Sequence, residues 1–200
     1  MKKVLIGFVA VLFAVALLPQ SGAASVGIKG GLALSTVRVS GTSEMTGLTN
    51  LKAPVFGLSL GLGMGLFTLQ PEFLYVRMGT SMVADAVEAE DHLDYLQVPI
   101  LLKINVMPGP ISPVIYGGGY GSYLLAAKGV TEGVSVDIKD EVKSTDYGLV
   151  FGGGVEFKLA VVKLTAEIRY NLGLANIAKE ISDGSSVKNK SLMFLVGVGF

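Results

Sequence analysis

Between Phe56 and Leu66 the chain sets an apolar side chain on every second residue and almost nothing in between. Phe56, Leu58, Leu60, Leu62, Met64 and Leu66 alternate with Gly57, Ser59, Gly61, Gly63 and Gly65. A period of two is what a β-strand imposes on its side chains. A helix would scatter the leucines around its circumference and would carry glycines that each cost about 1 kcal/mol. The helical reading fails, and Ala53–Leu66 is assigned as a strand with one greasy and one nearly bare face. The same period closes the chain. Leu192, Phe194, Val196, Val198 and Phe200 share one parity, against Ser191, Met193, Leu195, Gly197 and Gly199.

With that template the remaining strands fall out in order. The first is Val26–Val39, with Val26, Ile28, Leu32 and Leu34 opposite Gly27, Lys29, Gly31, Ala33 and Ser35. Ser40–Lys52, rich in Ser, Thr and Gly, is a long loop before the second strand, and Phe67-Thr68 is a minimal turn after it. In the third, Leu69–Met82, Gln70 and Glu72 oppose Leu69 and Phe73; past Tyr75 the parity blurs and Arg77 falls on the apolar side, which predicts a bulge or an early exit. The acidic stretch Val83–His92 is assigned as a second long loop, Leu93–Met107 as the fourth strand and Pro108–Ser112 as a turn. In the fifth strand, Pro113–Lys128, the run Gly117–Gly119 leaves the facing open. Gly129–Lys143 is a loop, Ser144–Lys158 the sixth strand, Leu159–Val161 a turn, Val162–Leu174 the seventh, Asn176–Lys190 the last long loop and Leu192–Phe200 the eighth.

Most of these strands exceed the ~5–6 residues usual in soluble sheets. Connections alternate short and long, and an even strand count returns the last strand beside the first, leaving no open edge. Half the residues are hydrophobic, yet past the N-terminus no apolar run approaches the ~20 residues of a membrane helix. Two classes remain: an unusually apolar secreted β-sandwich or lipocalin-like barrel, or a transmembrane barrel. Lys2 and Lys3, the apolar stretch Val4–Leu18, Pro19 and the small residues Ser21–Ala24 form a signal-peptide pattern. Residues 1–24 are therefore expected to be cleaved, a retained anchor helix being the alternative, and residues 25–200 to form one exported domain.

The face opposite the leucines decides between the two classes. In a secreted barrel it would meet water and be rich in Lys, Glu and Thr. Instead it holds Gly, Ser and Ala with scattered charges, which suits the cramped interior of an eight-stranded barrel. The fold expected is an all-β, eight-stranded, antiparallel up-and-down transmembrane β-barrel, its short turns periplasmic and its long loops outside. The polar residues assigned to the lumen are Lys29, Gln70, Glu72, Lys103, Asn105, Glu156, Lys163, Glu167 and Arg169. Buried ions must pair, so a network is expected, with Glu72, Lys103, Glu167 and Arg169 at its centre. Its functional alternative is a proton or ion path. Phe67, Phe157 and Phe200 fall near the periplasmic ends, and Phe56, Tyr147 and Tyr170 toward the outer half, as interfacial girdles do.

Several motifs resemble a known family. Gly27-Ile28-Lys29-Gly30-Gly31-Leu32, Leu69-Gln70-Pro71-Glu72-Phe73-Leu74-Tyr75, Tyr95-Leu96-Gln97-Val98-Pro99-Ile100-Leu101-Leu102-Lys103 and Arg169-Tyr170-Asn171-Leu172-Gly173-Leu174 are similar to PorT-like small outer-membrane β-barrels. The ending Phe194, Val196, Val198, Phe200 resembles the C-terminal assembly signal of such barrels. The resemblance implies a protein in the outer membrane of a diderm bacterium, in contact with its lipid and with the barrel-assembly machinery. It implies no settled activity; one branch of the family is tied to protein secretion.

Catalytic chemistry is hard to find. His92 is the only histidine and is assigned to an acidic loop beside Asp91 and Asp94. A lipid-modifying enzyme would need it with Ser81 and a carboxylate, but the spacing carries no signature. The loop acids Asp85, Glu88, Glu90 and Asp91, or Asp137, Asp140 and Glu141, lack EF-hand spacing. No metal, no cofactor and no catalytic residue is expected. The balance of 16 basic and 16 acidic residues gives no basic patch for nucleic acid, and the absence of Cys excludes disulfides. The expectation is a monomeric, non-catalytic surface protein that serves membrane integrity or attachment through its outer loops. A narrow channel or a secretion-associated barrel is the alternative.

Overall fold

The structure, a computed structural model, describes residues 24–40, 48–84, 87–107, 109–131, 134–179 and 186–200. The segment up to residue 23, expected to be a cleaved signal peptide, lies outside the described residues. Eight long strands carry the fold: β1 Ala24–Ser40, β2 Leu51–Met64, β3 Phe67–Ala84, β4 Val87–Asn105, β5 Ile111–Thr131, β6 Thr145–Lys158, β7 Lys163–Gly173 and β8 Ser186–Gly199. Each pairs antiparallel with its sequence neighbours, and β1 pairs with β8 from Gly27↔Gly199 to Ser40↔Ser186. The sheet is thereby a closed barrel whose strands find their ladder partners within it, with no open edge around the wall. That satisfies the backbone where no water can, which is the condition for crossing hydrocarbon. A two-residue strand, Leu48–Thr49, and a four-residue strand, Val134–Asp137, add to β3 and β5 beyond the barrel wall.

Alternation sorts the side chains as their sequence parity implies. Ile28, Leu32, Phe56, Ile100, Ile115, Phe151, Ile168, Phe194 and Val196 are exposed on the outer wall. Lys29, Glu72, Lys103, Glu156, Glu167 and Arg169 are buried inside. Leu60 has the outward parity yet is buried. In β5 the even residues Val114, Tyr116, Tyr120 and Leu124 point in, and a register shift opposite Asp94/Tyr95 reverses the parity so that Ala127 is the next inward residue.

Several sequence assignments change. The last loop ends earlier than Lys190 because β8 already starts at Ser186, and β5 runs on to Thr131 into the stretch assigned as the loop Gly129–Lys143. The first periplasmic turn is Gly65-Leu66, not Phe67-Thr68, because Gly65 takes a positive φ of 68° that glycine alone adopts freely. Val83–His92 is not a long loop. β3 runs on to Ala84, β4 starts at Val87, and His92 sits in a ladder between Gly79 and Lys128. Acidic residues spoil the apolar pattern there because this hairpin stands above the membrane, where pairing needs no grease. Arg77 is accounted for in the same way: its Nε donates to Asp94 Oδ1 across the hairpin at 2.6 Å, so the strand continues without a break.

Candidate functional site

The lumen is stacked in layers. At the periplasmic end β1, β3, β4, β6 and β7 send in charged groups whose inward parity leaves them nowhere else to go. Glu167 is the hub. It accepts from Lys29 Nζ at 2.8 Å, Lys103 Nζ at 2.9 Å, Arg169 Nη2 at 3.2 Å and the Tyr116 hydroxyl at 3.2 Å. Glu72 accepts two bonds from the Arg169 fork, at 2.6 and 3.1 Å, and further bonds from Lys29 at 2.8 Å and Gln70 at 2.6 Å. Glu156 bridges Lys103 at 3.3 Å and the partly exposed Lys163 at 3.7 Å. Both signs are matched almost one for one, which is how so many charges are tolerated away from water. Asn105 stands half-buried at the rim and makes no side-chain bond to these groups.

Tyr116 is the member that sequence reasoning missed. Its hydroxyl donates to Glu167 and accepts from Arg169 Nε at 3.3 Å, while its ring lies under both Lys103 and Arg169 at 5.4 and 5.3 Å. The cue was Gly152, its cross-strand partner: a Cβ there would come within 2.5 Å of the Tyr116 ring and hydroxyl. Gly148 likewise makes room for Tyr120. Tyr116→Phe removes two hydrogen bonds to ions while keeping the ring. It is expected to destabilise the barrel by about 1.5–3 kcal/mol, read as an earlier urea midpoint in detergent micelles.

Above the ions lies a polar layer. Asn171 Nδ2 donates to Gln97 at 3.0 Å, and Asp146 accepts from Asn189 at 3.0 Å and from Tyr120 at 3.3 Å. Higher still the interior turns apolar. Val55, Leu74, Val76, Met78, Leu93, Leu124 and Met193 form a buried cluster, with Ile177 reaching in from the loop after β7 and Ile138 and Val142 packing from the loop before β6. Those two loops are stitched together by a Val142↔Ala178 bridge, by Lys143 N–H to the Ile177 carbonyl at 2.7 Å and by Lys179 N–H to the Glu141 carbonyl at 3.0 Å. The lumen thus has an ionic base, a polar middle and an apolar cap.

His92 is elsewhere. Its Nε2 lies 2.7 Å from Glu90 on the extracellular hairpin, and the ladder sets it opposite Gly79 rather than Ser81. Among the described residues no cluster of three or more His, Asp or Glu groups is placed to hold a metal ion.

The architecture has known counterparts. The neisserial surface protein NspA superposes with a TM-score of 0.53 at 17% identity, covering 88% of this chain and 96% of that one. The outer membrane protein OprG of Pseudomonas aeruginosa gives 0.50 at 15% identity, covering 88% and 95%. Such low identities speak for the fold alone. No curated protein is detectably similar in sequence. Residues 19–179 match the family described as the outer membrane protein beta-barrel domain. With a closed eight-stranded wall, an apolar exterior and that match in hand, the chain belongs to the outer membrane protein β-barrel domain family and resides in the outer membrane.

Proposed function

We propose that this protein is a non-catalytic, monomeric component of the outer-membrane surface, serving membrane integrity and attachment through its extracellular loops. The observation that carries this reading is the stoppered lumen. Glu167, Glu72, Arg169, Lys29 and Lys103 fill its base, and Ile177 with the joined outer loops fills its mouth. Planar-bilayer recording of the purified, refolded chain tests it. No current above protein-free bilayers is expected at neutral pH; steady single-channel steps would replace this reading with a narrow channel. The strand motifs around Pro71 and Pro99 support a place in the PorT-like branch. The terminal pattern Phe194, Val196, Val198, Phe200 is proposed as the signal handed to the barrel-assembly machinery, the first three lying on one face of β8 and Phe200 following its end.

A further inference from the structure

The outer wall made by β1, β8 and β7 carries charges that the filled lumen does not explain. Arg38 on β1 lies directly opposite Lys188 on β8, and Lys190 follows two residues along on the same outward parity. Like charges set opposite one another in an antiparallel pair are destabilising. Among the described residues no carboxylate lies within ion-pair distance of any of the three. They line a depression of about 340 Å³ whose remaining wall includes Tyr170 and Leu172.

Tyr170 is also the upper edge of a second groove, of about 960 Å³, that descends toward the periplasm. Its floor is Gly153 and Ala166 and its sides are Phe151, Ile168 and Phe194. Gly153 and Ala166 hold outward-facing positions among the large side chains of Phe151, Ile168 and Phe194, so the wall is scooped out there. The two hollows form one track, cationic at the extracellular rim and apolar through the depth of the membrane. A phosphate ion would use only the top of it. A lipid uses all of it: charge-assisted hydrogen bonds from Arg and Lys to phosphate oxygens above, and apolar surface for a chain below.

We propose that this track binds a phosphate-bearing, acylated lipid of the outer leaflet, its phosphate held by Arg38, Lys188 and Lys190 and one acyl chain lying over Gly153 and Ala166. The site is on the outside of the wall, so it stands or falls independently of whether the lumen conducts.

The test is native mass spectrometry of the refolded chain in detergent, titrated with diphosphorylated lipid A, with chemically dephosphorylated lipid A and with inorganic phosphate. The intact lipid should be retained. The combined R38A/K188A/K190A variant removes mutual repulsion and so should still fold, but should bind at least about tenfold more weakly, the loss expected for charge-assisted bonds. Ala166→Phe fills the lower groove without touching a charge and should also weaken retention, whereas Lys158→Ala at the periplasmic rim should not. Equal retention by the wild-type and triple variants, or of the phosphorylated and dephosphorylated lipids, overturns the proposal. So does displacement of the lipid by millimolar inorganic phosphate together with an unaffected Ala166→Phe variant, because that outcome describes an ion site without a lipid.

Discussion

Arg169→Ala is expected to cost the folded barrel about 3–5 kcal/mol, the usual consequence of removing one partner from a buried ion pair. Arg169 is fully buried and supplies both bonds of a fork to Glu72 together with contacts to Glu167 and the Tyr116 hydroxyl. Without it Glu72 keeps only Lys29 and Gln70, and Lys29 is shared with Glu167, so a buried carboxylate loses the fork that held it. The comparison that isolates the electrostatics is Arg169→Met combined with Glu72→Gln, which removes one charge of each sign and fills the same volume. The double variant should unfold in urea at a concentration much nearer the wild type than the single variant does. If the single variant loses under about 1 kcal/mol, or if the double is worse than the single, the network does not hold the base of the barrel.

Ile168→Arg should act at the opposite surface and by a different cause. Ile168 is 55% exposed on the outer wall, between Gly153 and Phe194 in the ladders. A cation at that depth faces hydrocarbon, and the cost on barrel walls is about 2–4 kcal/mol near the midplane. Heat-modifiable migration on gels should show most of the variant unfolded, and membrane fractions should be depleted of it. Val134→Arg is the matched control. Val134 is 65% exposed, but it lies on the short strand above the membrane. It should assemble like the wild type. Equal behaviour of the two variants would mean that the leucine-and-phenylalanine face does not meet lipid.

Which parts of this were open to sequence reasoning follows from where alternation has a cause. In the bilayer, one face must be apolar and the other must fit a crowded interior, so Phe56–Leu66 and Leu192–Phe200 announce both their geometry and their facing. Lys29, Glu72, Lys103, Glu167 and Arg169 could be placed in the lumen for the same reason. Above the membrane that pressure lifts. The β3–β4 hairpin contains Asp91, His92 and Glu90 in regular ladder positions, and nothing in their polarity distinguishes a protruding strand from a loop. The apolar cap was hidden for another reason. Leu74, Val76 and Met78 point inward next to the outward Phe73 and Tyr75, so both parities are apolar and the contrast vanishes. Tyr116 was obscured by the glycines beside it; only the register, which sets it against Gly152, shows that a missing side chain on one strand holds a ring from the next.

The seam between β1 and β8 has a kinetic consequence. It joins residues from the two extremities of the described barrel, and even the Lys29–Glu167 contact between β1 and β7 in the lumen spans 138 positions. Native contacts so remote in sequence demand a large loss of chain entropy before they return any stability, which makes such topologies slow. Synthesis proceeds from the N-terminus, so β1 exists long before its partner does. Until β8 has emerged, β1 presents an unpaired, glycine-rich ribbon edge to whatever surrounds it. The nascent chain must therefore be shielded in transit, and closure waits on the final strand rather than proceeding hairpin by hairpin to an early stable core.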